Sequence, residues 1–563
     1  MSLTPDLNQL KSLLKHGDFN DNLKKQTVEL WNALKSSSDR TADYYKAKSI
    51  VSEVSYYFDD IELARESVKE FENFDLTNCS PADRGLALEK IRCYLAHIQA
   101  FFYYNQDFKN AQVQINRSLR FLVKKLVSDD FRCSSTLAWA NYQLGCCFRQ
   151  LNLLDRAEQA FLHSIRYQNH RARKRLADSN VGVAEKGQNS NRLKAYEEVL
   201  FCNRRIAIVL GLGIGFCDYT QGHLSSAREK LMIARSLIAP CNDPLNDAYL
   251  GLLLGSVIRC RAGSEPHQLK RAERMVLRSR DSFLRIAHIR YAARAIYELA
   301  LIHLALADRA CCSRDKFERY LKQATRECHE VLCISRKFPG KRWNSKALVV
   351  ISRIQRKRGN FQMARYFASR AFDEAGNETL CLIDARIALA EADILWVRSE
   401  IDRDPENRKK LNNDQRLSIA RDQLSKALEL NEDERSVRTT EGQNEKIAAV
   451  CRIHLARSFV LEGNRVQATA ALRQIKSLKS IEHKWIRELW REVNAEIAQI
   501  NREFYVDWDA DTLNYEELTQ KLGSVLLSIA KQKYPTNKSR QARFLGLGRA
   551  KLTKIETSLS DED

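Results

Sequence analysis

Helix breakers are scarce in this chain: 563 residues hold only 20 Gly and 8 Pro. That excludes collagen-like and turn-rich all-β architectures and points to helices. Apolar runs are short as well. None approaches the roughly 18 consecutive apolar residues of a membrane-spanning helix. The opening stretch MSLTPDLNQLKSLLKHGD is broken by charge before a signal-peptide core forms. A cytoplasmic protein without membrane contact is expected. The 15 cysteines are scattered and form no CxxC, which excludes zinc-ribbon and thioredoxin-like sites by spacing. Most fall in apolar helical stretches, where a free Cys acts as a small buried hydrophobe, and they suit a reducing compartment. The 11 His are dispersed, with no HExxH and no Ser, His and acid constellation. GLGIG at 211–215 lacks both a following GK[ST] and a preceding strand. It reads as a close helix crossing, not a phosphate loop. No catalytic residue, metal ligand or cofactor site is expected, and the chain reads as a non-enzyme.

Positive charge is in excess. Lys and Arg number 92 against 71 Asp and Glu, a net +21, which implies a polyanionic partner. The length allows several compact units or one long repeat array, and the sequence repeats. Residues 137–168, LAWANYQLGCCFRQLNLLDRAEQAFLHSIRYQ, place Leu144, Gly145 and Phe148 on one helix and Ala157, Phe161 and Ser164 on a second. This pattern resembles a tetratricopeptide repeat, in which small residues let two antiparallel helices cross closely. Gly215, Ala227, Leu231 and Ala234 repeat the spacing. So do Ile351, Ala364 and Ala371 around RGNFQMA, and Leu455, Ala456, Ala468 and Leu472 around EGNRVQA. Weaker copies sit on Ala64, Ala111, Ala272 and Ala420, and a distorted one covers 291–330.

Neighbouring anchors lie 45 to 48 residues apart, longer than the ~34 of a standard repeat. Wider gaps of 70 and 56 residues contain RARKRLADSNVGVAEKGQNSNR and IDRDPENRKKLNNDQR, both read as exposed loops. The predicted fold is all-α: a TPR-like α-solenoid of about nine helix pairs followed by a helix-turn-helix unit. An N-terminal helical cap spans 1–40. The array spans 41–495 with insertions near 168–196 and 400–416, a linker covers 496–512, and a C-terminal domain covers 513–563. The concave groove of such an array suits a protein or peptide ligand.

Past residue 500 the character changes. YEELTQKLGSVLLSIAKQKY carries Leu518, Leu522, Val525, Leu526 and Ile529 at helical spacing. In the segment that follows, Asn537 or Ser539 caps a short helix through Leu545, Gly546 supplies a positive φ, and a second helix starts near Arg549. Between Lys531 and Lys554 there are eight basic residues and no acidic one. Leu552, Ile555 and Leu559 face inward, leaving Arg549, Thr553 and Lys554 outward with Lys551 flanking, a surface able to enter a major groove.

From Tyr515 to Leu559 the sequence resembles the Fis family of helix-turn-helix domains, through Leu526-Leu527, Asn537, Ser539, Arg540, Ala542, Leu545, Gly546, Leu547, Arg549 and Leu552. Gly548, Gln541, Lys551 and Glu556 depart from the family pattern. The resemblance implies that Arg549 approaches base edges while Asn537, Ser539, Thr553 and Lys554 approach phosphates. Arg540 and Lys551 complete the DNA-binding set. It also implies a homodimer through the 515–533 helix on double-stranded DNA. The resulting expectation is a nucleoid-associated bacterial transcription regulator whose array receives a protein, peptide or other signal. The alternative is a non-enzymatic TPR interaction scaffold with a basic C-terminal tail.

Overall fold

The structure is a computed structural model that describes residues 21–500, with short breaks of which 405–414 is the longest, and parts of 526–553. Among the described residues every regular element is helical. Nine successive pairs follow one another among the described residues. Pair 1 is Ala42–Tyr57 with Ile61–Glu66, and pair 2 is Arg84–His97 with Phe108–Phe121. Pair 3 is Phe131–Gln150 with Leu154–Val181. Pair 4 joins the run Gln188–Ile208, Val209–Gly215 and Phe216–Gln221 to Leu224–Ile238. Pairs 5 and 6 are Pro244–Ala262 with Pro266–Arg285 and Ile289–Arg309 with Arg314–Ser335. Pair 7 is Arg342–Lys357 with Phe361–Ala375, pair 8 Thr379–Arg403 with Gln415–Ser436, and pair 9 Gly442–Leu461 with Arg465–Arg473. Asp21–Lys35 precedes the stack and Lys484–Ile500 follows it.

The small residues explain why the pairs form. Ala64, Ala111, Ala157, Ala227, Ala272, Ala364, Ala420 and Ala468 are all fully buried, as is Ala324 in the irregular sixth pair. A methyl at these positions lets helix backbones approach closely. In pairs 1 and 7 a serine of the first helix uses that proximity: Ser52 and Ser352 Oγ donate to the Ala64 and Ala364 carbonyls at 3.0 and 2.7 Å. In pair 3 the fully buried Phe161 ring lies between two glycines. A Cβ at Gly145 would stand 2.5 Å from it, and one at Gly213 2.9 Å. The GLGIG segment is thus a helix crossing, with Gly211 closing on Leu250 and Ala234. By length and composition the stretch 195–221 matches a bilayer-spanning helix, yet Ala207, Ile208, Val209, Leu212 and Ile214 are buried among neighbouring repeats.

The turns within pairs 4, 7 and 9 share one chemistry. At Gly222, Gly359 and Gly463 the backbone turns left-handed, φ +93, +77 and +76. The following amide reaches back to the first helix: His223 to Asp218, Asn360 to Gln355, and Asn464 to Phe459, each at 2.9 Å. This is the Schellman arrangement. Asp60, Asp83, Asp107, Asp243 and Asn464 cap helix N-termini with side-chain oxygens 3.0 to 3.3 Å from the amide three residues on.

The stack winds tightly. Tyr57 of pair 1 donates to Asp243, the cap of pair 5, at 3.0 Å. Arg342 of pair 7 donates to Gln150 of pair 3 at 3.3 Å. Beyond pair 9, Glu482 accepts from the Ser225 amide and hydroxyl at 2.8 and 2.7 Å, while Lys484 pairs with Glu265 at 2.7 Å. The first helices therefore line an inner face narrow enough for opposite walls to touch.

Two expectations are corrected. The basic run after residue 168 is not an exposed loop, because Leu154–Val181 stays helical through it and Gln188 opens the next helix. Its Arg, Lys, Leu and Ala are good helix formers, and propensity prevails where polarity had suggested a loop. The helix that follows the stack also runs to Ile500, into the span from 496 expected as a linker. Of the described cysteines all are buried except Cys333.

Candidate functional site

The C-terminal segment carries the sequence-predicted site. Helix Lys538–Phe544 is capped by Asn537, whose Oδ1 accepts from the Arg540 amide at 3.0 Å. Ser539 lies inside the helix rather than capping it. The helix ends on Gly546 at φ +66. The Leu547 amide returns to the Ala542 carbonyl at 2.8 Å and that of Gly546 to Arg543 at 3.1 Å, the Schellman geometry again. The Gly548 carbonyl then accepts from the Leu552 amide at 3.0 Å, the first bond of a new helical turn, so Gly548 occupies the capping place. Leu527, Ala542 and Leu552 form a small core with Leu545 against it. Gln541 is buried, and its amide donates to the Tyr534 carbonyl at 2.5 Å.

Asn537, Lys538, Ser539, Arg540, Arg543 and Thr553 are exposed on this unit. Arg549, Lys551 and Lys554 lie outside the described residues, as does most of the 515–533 segment expected to be helical. Within that helix Leu527 and Ala530 are buried while Leu526 is exposed.

The basic run in pair 3 divides. Arg171 is buried, pairs with Glu198, donates to Ser135 Oγ at 2.6 Å and lies 5.0 Å from the Phe201 ring. It holds pair 3 to pair 4. Arg173 is exposed.

Sequence reading missed the inner face. First helices of the array place Arg, Lys, Tyr and Trp there, buried or half-buried. Many of the cations are matched by carboxylates: Arg204 with Asp243 at 2.6 Å, Arg205 with Glu53 at 2.6 Å, and Arg259 with Glu298. Glu391 faces Arg356 and, at 2.9 Å, His454. Burial alone would raise the Glu391 carboxyl, but Arg356, His454 and Arg353 hold it well below its usual range. Burial raises the hydroxyls of Tyr142, Tyr219, Tyr291 and Tyr297, so they stay neutral donors. The signal available in the sequence was RYAARAIYE at 290–298, polar and aromatic residues at helical spacing inside an otherwise apolar helix.

No family model matches the chain, and no curated protein does. Solved structures are similar in part. A Rap protein complexed with competence and sporulation factor is 10% identical, with 88% of this chain and 99% of that chain covered and a TM-score of 0.38. A signal-transduction ATPase with a tetratricopeptide repeat sensor from Pyrococcus horikoshii is 14% identical, covering 88% and 68%, with a TM-score of 0.35. A human IFIT1 dimer with m7Gppp-AAAA is 12% identical, covering 84% and 94%, with a TM-score of 0.34. These values are too low to carry any function across.

Proposed function

We propose that the chain is a non-enzymatic, cytoplasmic regulator of transcription that binds double-stranded DNA through residues 513–563 and a peptide or protein through its TPR-like array. The observation that supports this most is the unit built on Lys538–Phe544: an Asn-capped helix, a left-handed Gly546 turn and a new helical turn from Gly548, packed on one small core. Lys538, Arg540 and Arg543 all face solvent on it. Two short helices around a glycine turn suit major-groove docking. Eight basic and no acidic residues between Lys531 and Lys554 suit the phosphate backbone. The exposed Leu526 beside the buried Leu527 favours a homodimer, since a second copy of the helix would cover it.

Selection of random duplexes by the full-length protein tests this reading. Recovery of a recurring, two-fold related sequence is expected. Recovery of duplexes without any shared sequence would instead identify a scaffold with a basic tail.

A further inference from the structure

Arg149, Arg294 and Lys346 are exceptions to the pairing on the inner face. They belong to pairs 3, 6 and 7, and among the described residues none of them makes an ion pair. Each leans on an aromatic ring instead. The Arg149 and Arg294 guanidiniums flank the same Phe216 ring at 4.7 and 5.0 Å. Arg294 also lies 5.0 Å from the Tyr249 ring and donates to its hydroxyl. Arg149 donates to the Leu212 carbonyl, while its buried Nε has no partner. The Lys346 amine stands 5.4 Å from the Trp343 ring.

The groups facing Lys346 are of mixed sign. Burial disfavours its ammonium most, Arg342 and Arg294 repel it as well, and Cys381 and Asp384, which favour it, do not offset them. The outcome is an amine held down at about 8. Rings stabilise such cations only partly. An unmatched half-buried cation lacks the counter-charge that Arg204, Arg205 and Arg259 have nearby.

We propose that Arg149, Arg294 and Lys346 form the seat of an acidic peptide segment, whose carboxylates supply the counter-charges that the fold omits. This rests on the peptide-binding reading of the array and specifies its ligand. A peptide suits the site because the walls approach closely: Arg342 bonds to Gln150 four pairs away, beside Arg149. An extended chain passes where a folded domain does not. Phe216, Tyr249 and Trp343 then offer rings to the segment between its charges, and Arg pairs with carboxylates in the two-pronged manner its geometry favours.

The test uses the full-length protein and a fluorescein-labelled alternating Glu-Tyr decapeptide, with a Lys-Tyr counterpart as control. Wild type is expected to bind the acidic peptide roughly tenfold or more tighter than the basic one. Arg149→Gln/Arg294→Gln/Lys346→Gln is expected to lose about tenfold or more, while Lys24→Gln/Lys109→Gln/Arg271→Gln, which removes three exposed charges elsewhere, loses less than about twofold. Equal loss in both triple variants would overturn the seat by reducing it to overall charge. Displacement of the acidic peptide by single-stranded oligonucleotide at equal concentration would overturn the choice of ligand. Lys-Tyr binding that disappears in the inner-face variant would remove the acidic ligand and leave a peptide-binding array. No binding of either peptide would remove both. Lys346→Met separates folding from recognition: unchanged melting with weakened peptide binding fits the seat, whereas a large fall in melting temperature would make Lys346 structural.

Discussion

At the scale of single residues, buried histidines set the pH range of the fold. Burial holds His97, His288 and His483 at about 4, 3 and 2. A depressed histidine contributes stability that is complete above its unfolded value near 6.5 and declines as pH falls below it. At pH 5 each removes about 2 kcal/mol, since one unit is ~1.4 kcal/mol. His303 behaves in the opposite sense. It too is buried, but Glu273 at 3.2 Å and Glu327 at 2.8 Å outweigh that and raise it to about 8. Its contribution is complete below 6.5 and is lost as pH rises through 8, again about 2 kcal/mol. Thermal melts between pH 5 and 9 are therefore expected to be dome-shaped. His288→Phe, which keeps the stack on Tyr291 at 4.1 Å, is expected to flatten the acid limb, and His303→Gln the alkaline limb. An acid limb unchanged in His288→Phe would remove that histidine from the account.

At the scale of helices and turns, close packing governs. A Cβ at Gly145 meets the Phe161 ring at 2.5 Å, so Gly145→Ala is expected to cost about 1–3 kcal/mol in denaturant unfolding. The opposite change helps at Ala287. It holds φ +56 without being glycine, in a turn where the His288 amide returns to Phe283 at 2.8 Å. Ala287→Gly is expected to leave stability level or raise it by up to about 1 kcal/mol. This scale was also the most legible in the sequence. Every alanine anchor proved fully buried because only a small residue fits a helix crossing, and that constraint acts locally. The Asn537 cap and the Gly546 turn were legible for the same reason. The extension of helix Leu154–Val181 was not, since a polar run of good helix formers carries no apolar periodicity to reveal it.

For the whole molecule the decisive contacts join residues far apart in sequence, and no local pattern announces them. Asp243 caps pair 5, faces Arg204 of pair 4 at 2.6 Å and accepts from Tyr57 of pair 1 at 3.0 Å. Its carboxylate raises the Tyr57 hydroxyl further after burial has done most of it. Asp243→Ala breaks a buried pair, a cap and a wall-to-wall bond at once. A loss of roughly 3–5 kcal/mol is expected, with faster proteolysis near both pairs. Asp243→Asn keeps the cap and the Tyr57 bond and is expected to lose less. Equal losses would mean that charge alone matters there. The inner face was illegible for the same reason: Arg149 and Arg294 meet over Phe216 only because the stack winds.

Arg549 carries the proposed base-reading role, which only the sequence resemblance to Fis-type domains implies. The most direct measurement compares wild type and Arg549→Ala, both full length, on a selected duplex and on random duplex at one salt concentration. A guanine-reading Arg is worth about 1–3 kcal/mol of discrimination, whereas a phosphate contact weakens all sequences alike. The account predicts a loss of roughly tenfold or more on the selected duplex with little change on random DNA. Equal loss on both, or none on either, would contradict it.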